Sequence, residues 1–454
     1  MKTSVAAGPA AKRRQLENGP VPLVVGAVVA AISVLAYLIA LASHPWDDML
    51  KGFDLQVYTE GGHLVLHNAA DLYTWHWPEH PGIQYTYTPF AALLFAVASV
   101  LPFHLLMAGM VLLGIASLGA TVWIAFRSLG LRSRSLLGAA LLLGGVALWL
   151  EPVQRALFLG QVELALMALI VWDLCQDDRR WWKGVGTGLA AAIKLVPLLL
   201  IVYLLFTRRF RAAAVVAGTF VVTILIGFVF LPHESAKFWQ PSYFLNASRT
   251  GFVGTTANQS LRGLITRLAG SVHAGGDIWL PVAAVVTLAG LAAAAVLYRR
   301  GRQFEGLMAA YLTLLLASPI SWDHHWVWVA PFLAIGIAYA WRARTAFSRV
   351  GWLAGTVVLA AIFAAWPKFW TNPVQVLQGG LIWYAPSSSF PSGDNPHYAE
   401  YHWHGLELIA GNLFVLAGCA LFVFVLGVVL KELSQGRRAL GHRDEVVGEP
   451  DPQG

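Results

Sequence analysis

The stretch that decides the fold runs from Arg179 to Arg211, RRWWKGVGTGLAAAIKLVPLLLIVYLLFTRRFR. Its middle, Val185 to Phe206, is apolar enough to enter a membrane, yet it carries Lys194 and Pro197. Arg179, Arg180 and Lys183 precede it, and Arg208, Arg209 and Arg211 follow it. Basic residues that flank apolar segments favour the cytoplasmic side. A single crossing would strand one cluster on the wrong side, so the segment reads as a hairpin that enters and returns, turning near Lys194 and Pro197. Proline suits that turn because it has no N–H to give to a helix.

The pattern extends outward from there. Of the 454 residues, 57% are hydrophobic and only 12% charged, against about 25% charged in an ordinary soluble domain. Apolar runs of about 20 residues recur from end to end, which defines an all-α polytopic membrane protein. Full spans are expected near 21–43, 104–126, 135–150, 156–175, 211–231, 278–298, 304–318, 326–341, 350–366 and 406–430. Phe90 to Leu101 is too short to cross upright and reads as a second re-entrant element. This gives about 10–12 membrane helices. The net charge of +7 is spread in short clusters between apolar runs rather than gathered in a soluble patch, so nucleic acid is not an expected partner.

With the hairpin in place, 23 of the 31 basic residues fall on one side. The other eight are Lys51, Arg155, Lys194, Lys237, Arg249, Arg262, Arg267 and Lys368. That bias places both termini in the cytoplasm and the long polar loops, 44–89, 232–277 and 367–405, outside a plasma membrane. Any chemistry is therefore expected on the external face. The run Val21 to Ala42 is too long for a signal-peptide core and reads as a retained span, although Ala40-Leu41-Ala42 mimics a cleavage site. The chain reads as a cytoplasmic segment (1–20), a single transmembrane catalytic domain (21–433) and a polar, disordered tail (434–454). Cys175 and Cys419 offer neither disulfide nor zinc spacing.

The candidate chemistry lies in the outward loops. Asp54, in Gly52-Phe53-Asp54-Leu55-Gln56-Val57-Tyr58, follows the first span; in a helix it would share a face with Tyr58. It could serve as a general base or simply be a solvated acid or helix cap. Tyr85 and Tyr87, with Tyr73, Trp75 and Trp77 upstream, could hold a sugar or form an interfacial aromatic belt. Lys194 is the sharpest intramembrane feature, since an ammonium there needs a partner; an anionic phosphate would suit, and snorkelling to water is the alternative. Glu151-Pro152-Val153-Gln154-Arg155 and Gly160-Gln161-Val162-Glu163 form an outward corner whose polar side chains could bind sugar hydroxyls or pair with each other. Asn258, Gln259 and Arg262 offer two amides and a guanidinium suited to phosphate; Asn246 and Asn258 also match glycosylation sequons. His324 and His325, beside Asp323, favour phosphate or substrate binding over a metal, because adjacent histidines point apart and no third ligand follows at zinc-like spacing.

Six motifs, FDLQVY (53–58), YTYTPF (85–90), GQVEL (160–164), GLAAAIKLVP (188–197), NQSLRG (258–263) and SPISWDHHWVW (318–328), together resemble glycosyltransferase family 87 of the GT-C superfamily. Its members are polyprenyl-phosphate-mannose-dependent α-1,2-mannosyltransferases, of which the phosphatidylinositol mannoside type is most similar. The resemblance implies a GT-C-type bundle with external active-site loops, a lipid-linked sugar donor, a glycolipid acceptor, and neither a nucleotide sugar, an obligatory metal nor another cofactor. It assigns Asp54 the role of base, and places Lys194, Arg262, His324 and His325 at the donor phosphate. Tyr58, Tyr85, Tyr87, Glu151, Gln161, Asn258 and Gln259 would contact substrate. Tyr87-Thr88-Pro89 departs from the Tyr-Pro-Pro of many members. Other GT-C enzymes, arabinosyl or protein mannosyl transferases, remain open. A lipid or solute transporter fits less well, because it needs access from both sides whereas the long loops lie on one.

Overall fold

The computed structural model describes residues 22–42, 52–77, 84–366, 379–388 and 395–447. Its helices of seven or more residues are α1 Leu23–Ala42, α2 Phe53–His67, α3 Pro89–Ala98, α4 Phe103–Ser128, α5 Ser133–Ala147, α6 Glu151–Leu159, α7 Glu163–Leu174, α8 Val185–Ile193 and α9 Leu200–Phe206. They continue as α10 Phe210–Phe230, α11 Pro232–Phe238, α12 Leu261–Ala269, α13 Val272–Arg299, α14 Gln303–Ala317, α15 Val329–Arg342, α16 Ala346–Phe363, α17 Gly405–Gly411 and α18 Leu413–Val447. Among the described residues the β-pairing amounts to isolated bridges. The chain is an all-α, multi-pass membrane protein.

Among the described residues five helices, α4, α10, α13, α16 and α18, are long and apolar enough to cross a membrane, and α6 with α7 makes a sixth, bent by 115°. The straight span expected over 156–175 is thus a broken one. The break follows from Gly160, whose φ of 66° is left-handed and ends α6, a backbone state that side chains other than hydrogen resist. The span expected at 304–318 is α14, of the expected length, whereas that expected at 326–341 begins only at Val329, because Asp323–Trp328 form a 3₁₀ helix. In α14 every residue from Phe304 to Leu316 is buried, as befits a helix apolar on all sides; it packs against α13 and α18 at the centre of the bundle.

The decisive stretch folds around Lys194. Helix α8 stops at Ile193, Lys194 is extended, Pro197 lies in a 3₁₀ turn over Val196–Leu199, and α9 follows. Arg211 donates to the carbonyls of Asp178, Arg179 and Arg180, and Arg209 approaches the Asp178 carboxylate. The two basic clusters therefore meet at one end of the bundle, with Lys194 at the far tip of the hairpin. The re-entrant stretch at 90–101 becomes α3, whose cap is Thr88: its hydroxyl accepts from Ala91 N–H and donates to the Ala192 carbonyl near the hairpin tip. Two short apolar elements are thereby fastened to each other. At the C-terminus α18 continues through residues 434–447 of the expected tail. Residues 1–20 and 448–454, like Asp47, Asp48, Lys51 and Lys368, lie outside the described residues.

Candidate active site

Helix α2 begins at Gly52, again left-handed with φ 55°, whose N–H donates to the Phe158 carbonyl at 3.0 Å. That bond ties the first loop to the end of α6, so α2 starts beside the break that carries Gln161. A side chain on Gly160 would drive its Cβ to 2.7 Å from that of Leu55, so glycine also permits the approach of the two elements.

Asp54 and Tyr58, one helical turn apart on α2, both reach the same amide. Gln161 Nε2 donates to Asp54 Oδ2 at 2.7 Å, and Gln161 Oε1 accepts from Tyr58 Oη at 2.7 Å. With its proton committed there, Tyr58 accepts from Tyr87 Oη at 2.8 Å. The same Oε1 accepts from Lys194 Nζ at 3.2 Å. The ammonium also donates to Glu163 Oε2 at 2.8 Å and meets His325 Nε2 at 3.3 Å. Its three hydrogens thus all have acceptors. Both partners of the Lys194 and Glu163 ion pair are largely sheltered, with side chains 15% and 6% exposed, where removal of either would leave an uncompensated charge. Burial and the adjacent Lys194 hold the His325 imidazole well below the usual histidine range, so the ring is neutral. Its Nε2 accepts from the ammonium and its Nδ1 carries the proton.

The histidine pair is split. His324 turns to a second cluster, where its Nδ1 lies 3.2 Å from Asp323 Oδ1 and Arg155 Nε lies 3.4 Å from Asp323 Oδ2. Glu151, fully buried at the start of α6, accepts from Trp383 Nε1 at 2.7 Å. Tyr85 is buried against Tyr73 and Tyr87.

Other expected residues are engaged elsewhere. Asn258 donates to the carbonyls of Val253 and Pro319 and accepts from the N–H groups of Ser260 and Ser321. Gln259 donates to Thr256 and Gly411 carbonyls and accepts from Val415 N–H. Both are fully buried and fasten their loop to the histidine turn and to α18. Arg262 lies over the Trp279 ring at 5.1 Å rather than on Lys194. Glu163, expected only as part of the outward corner at 160–163, proves to be the ion-pair partner of Lys194, a pairing that sequence reasoning missed. A shallow crevice lined by Thr88, Phe90, Ala192, Phe220, Ile224 and Trp239 among others lies beside the hairpin tip and is too tight to hold a water molecule. Among the described residues no group of three or more His, Cys, Asp or Glu is arranged to hold a metal ion.

The model of glycosyltransferase family 87 matches residues 85–319. The chain is 32% identical over 338 residues to a polyprenol-phosphate-mannose-dependent alpha-(1-2)-phosphatidylinositol pentamannoside mannosyltransferase of Mycobacterium tuberculosis (strain CDC 1551 / Oshkosh), covering 73% of this chain and 76% of that one. A protein of the same description from Mycolicibacterium smegmatis is 30% identical over 336 residues, 73% and 80% of the two chains. A polyprenol-phosphate-mannose-dependent alpha-(1-2)-phosphatidylinositol mannoside mannosyltransferase of M. tuberculosis (strain ATCC 25618 / H37Rv) is 28% identical over 324 residues, 67% and 75%. No solved structure matches the chain. The fold and these likenesses define a membrane glycosyltransferase. The chain belongs to glycosyltransferase family 87.

Proposed function

We propose that the chain transfers mannose from polyprenyl-phosphate-mannose to a hydroxyl of a phosphatidylinositol mannoside or related lipoglycan, forming an α-1,2 linkage with inversion. The observation that carries this reading is the Gln161 amide, which grips a carboxylate with one end and an ammonium with the other. A base and a phosphate-binding cation are thus held in one fixed relation, as an in-line displacement requires. The activities named for the relatives supply the donor and the linkage.

In this mechanism Asp54 takes the proton of the acceptor hydroxyl, and that oxygen attacks the anomeric carbon. The bond from the anomeric carbon to the phosphate oxygen breaks, and its electron pair leaves with polyprenyl phosphate. One base suffices, because phosphate departs with little protonation, unlike the alcohol released in glycoside hydrolysis. The arriving phosphate exchanges with the neutral acceptors Gln161 and His325 on the ammonium, while the His325 Nδ1 proton is free to turn to it. Lys194 then stabilises the charge that develops on the leaving group. Tyr58 and Tyr87 hold the amide in register. Asn258 and Gln259 serve as framework here, and Arg262 stays outside the donor set.

The sidedness of the basic residues supports cytoplasmic termini and an active site on the external face of the plasma membrane, and residues 21–433 act as one catalytic unit. Asp54→Asn keeps the hydrogen bond from Gln161 while removing the base. Membranes carrying it, given labelled polyprenyl-phosphate-mannose and glycolipid acceptor, should show no transfer at undiminished protein level and donor binding. Transfer at the wild-type rate would remove Asp54 as the base.

A further inference from the structure

The second cluster contains side chains whose polar atoms the protein leaves unmatched. Gln154, on the same face of α6 as Glu151 and next to Arg155, is 2% exposed, and neither its Oε1 nor its Nε2 has a hydrogen-bond partner. His324, 5% exposed on the 3₁₀ helix packed against α6, has no partner for Nε2. Buried polar groups are nearly always satisfied, and each unmade bond costs free energy. Three such atoms on two elements in contact mark a place built for a polar occupant. Beside Gln154 in sequence, the Arg155 guanidinium, a quarter exposed, lies over the Trp383 ring 5.3 Å from its centre, and the Trp383 N–H is fixed by Glu151. Trp383 comes from residues 379–388, where Gly380 sits so close to Glu151 that an added Cβ would lie 2.6 Å from its Cγ.

We propose that Gln154 and His324, under Arg155 and Trp383, form the subsite for the sugar part of the acceptor, separate from the donor-phosphate site at Lys194. An amide that both donates and accepts, together with an imidazole nitrogen, matches hydroxyl groups, which also do both. An indole face at the rim suits the apolar face of a pyranose ring. Arg155, paired with Asp323 and next to the indole, closes the rim. The inference rests on the mannosyltransferase reading, and it assigns the two adjacent histidines to different substrates: His325 to the donor and His324 to the acceptor.

The test is initial-rate kinetics on purified full-length protein, varying polyprenyl-phosphate-mannose and a phosphatidylinositol mannoside separately. Gln154→Leu should raise the acceptor KM about 3- to 10-fold per lost hydrogen bond and leave the donor KM unchanged. Because an unsatisfied amide gives way to an apolar side chain of similar size, Tm should hold or rise. Trp383→Phe, at a half-buried position, should shift the acceptor KM in the same direction and provides the second measurement should Gln154→Leu fold poorly. Unchanged KM for both substrates, or a donor KM that moves instead, overturns the proposal. A wild-type protein that transfers nothing to the mannoside overturns the mannosyltransferase reading instead, so the two failures are distinct.

Discussion

Gln161 shows how far single residues could be read in advance. The i, i+4 spacing of Asp54 and Tyr58 was visible in the sequence, and both meet one amide. Glu163 was legible only as part of an outward corner, and its pairing with Lys194 was not, because that partner lies 31 residues on, across a helix break and a hairpin. Asn258 and Gln259 show another limit: a polar motif reads the same whether its side chains meet a ligand or a backbone carbonyl, and here their amides bond backbone groups. The Lys194 and Glu163 pair gives a prediction at this scale. Lys194→Met should abolish donor binding and destabilise the protein by about 3–5 kcal/mol, because Glu163 stays buried without its countercharge. Adding Glu163→Leu should recover most of that Tm loss while leaving transfer absent. Recovery of transfer in the double variant would show that the ammonium is structural and not part of the donor site.

At the scale of elements, the existence of two broken segments was legible from charge and from length, and the bend between α6 and α7 was not. Gly160 inside Leu159-Gly160-Gln161 looks like an ordinary glycine of a membrane span until its left-handed backbone is seen. The departure at Thr88 likewise acquires a reason: its hydroxyl caps α3 and reaches the Ala192 carbonyl, bonds a proline there could not make. Thr88→Val keeps the shape and removes both. It should cost about 1–2 kcal/mol from the lost cap plus that second bond, lowering Tm and, since Ala192 lies two residues from Lys194, weakening donor binding. A Tm equal to wild type would deny the fastening between the two re-entrant elements.

For the whole molecule, the hairpin decides on which side everything after residue 206 lies. Its two ends carry exposed positions, Trp181 and Phe210, 74% and 62% exposed. Cysteines placed at each, in a background with Cys175 and Cys419 changed to alanine, should both be shielded from a membrane-impermeant maleimide in intact cells and both labelled in opened vesicles. One labelled from outside and one from inside would make 185–206 a true crossing and invert the loops that follow. The bundle as a class was plain from composition, because a chain this apolar has no soluble alternative. The start of α15 was not, since residues 326–328, apolar like the helix that follows, belong to a 3₁₀ helix instead.

The ion pair between α7 and the hairpin tip also bears on biogenesis. A charged side chain left alone in an apolar segment is costly to insert, and Glu163 and Lys194 sit on separate segments. Neither is comfortable in lipid until the other arrives. The translocation machinery is therefore expected to hold α7 until the hairpin has been synthesised and to release the two as a neutral unit, so the contact that positions the cation also sets the order in which the chain enters the membrane.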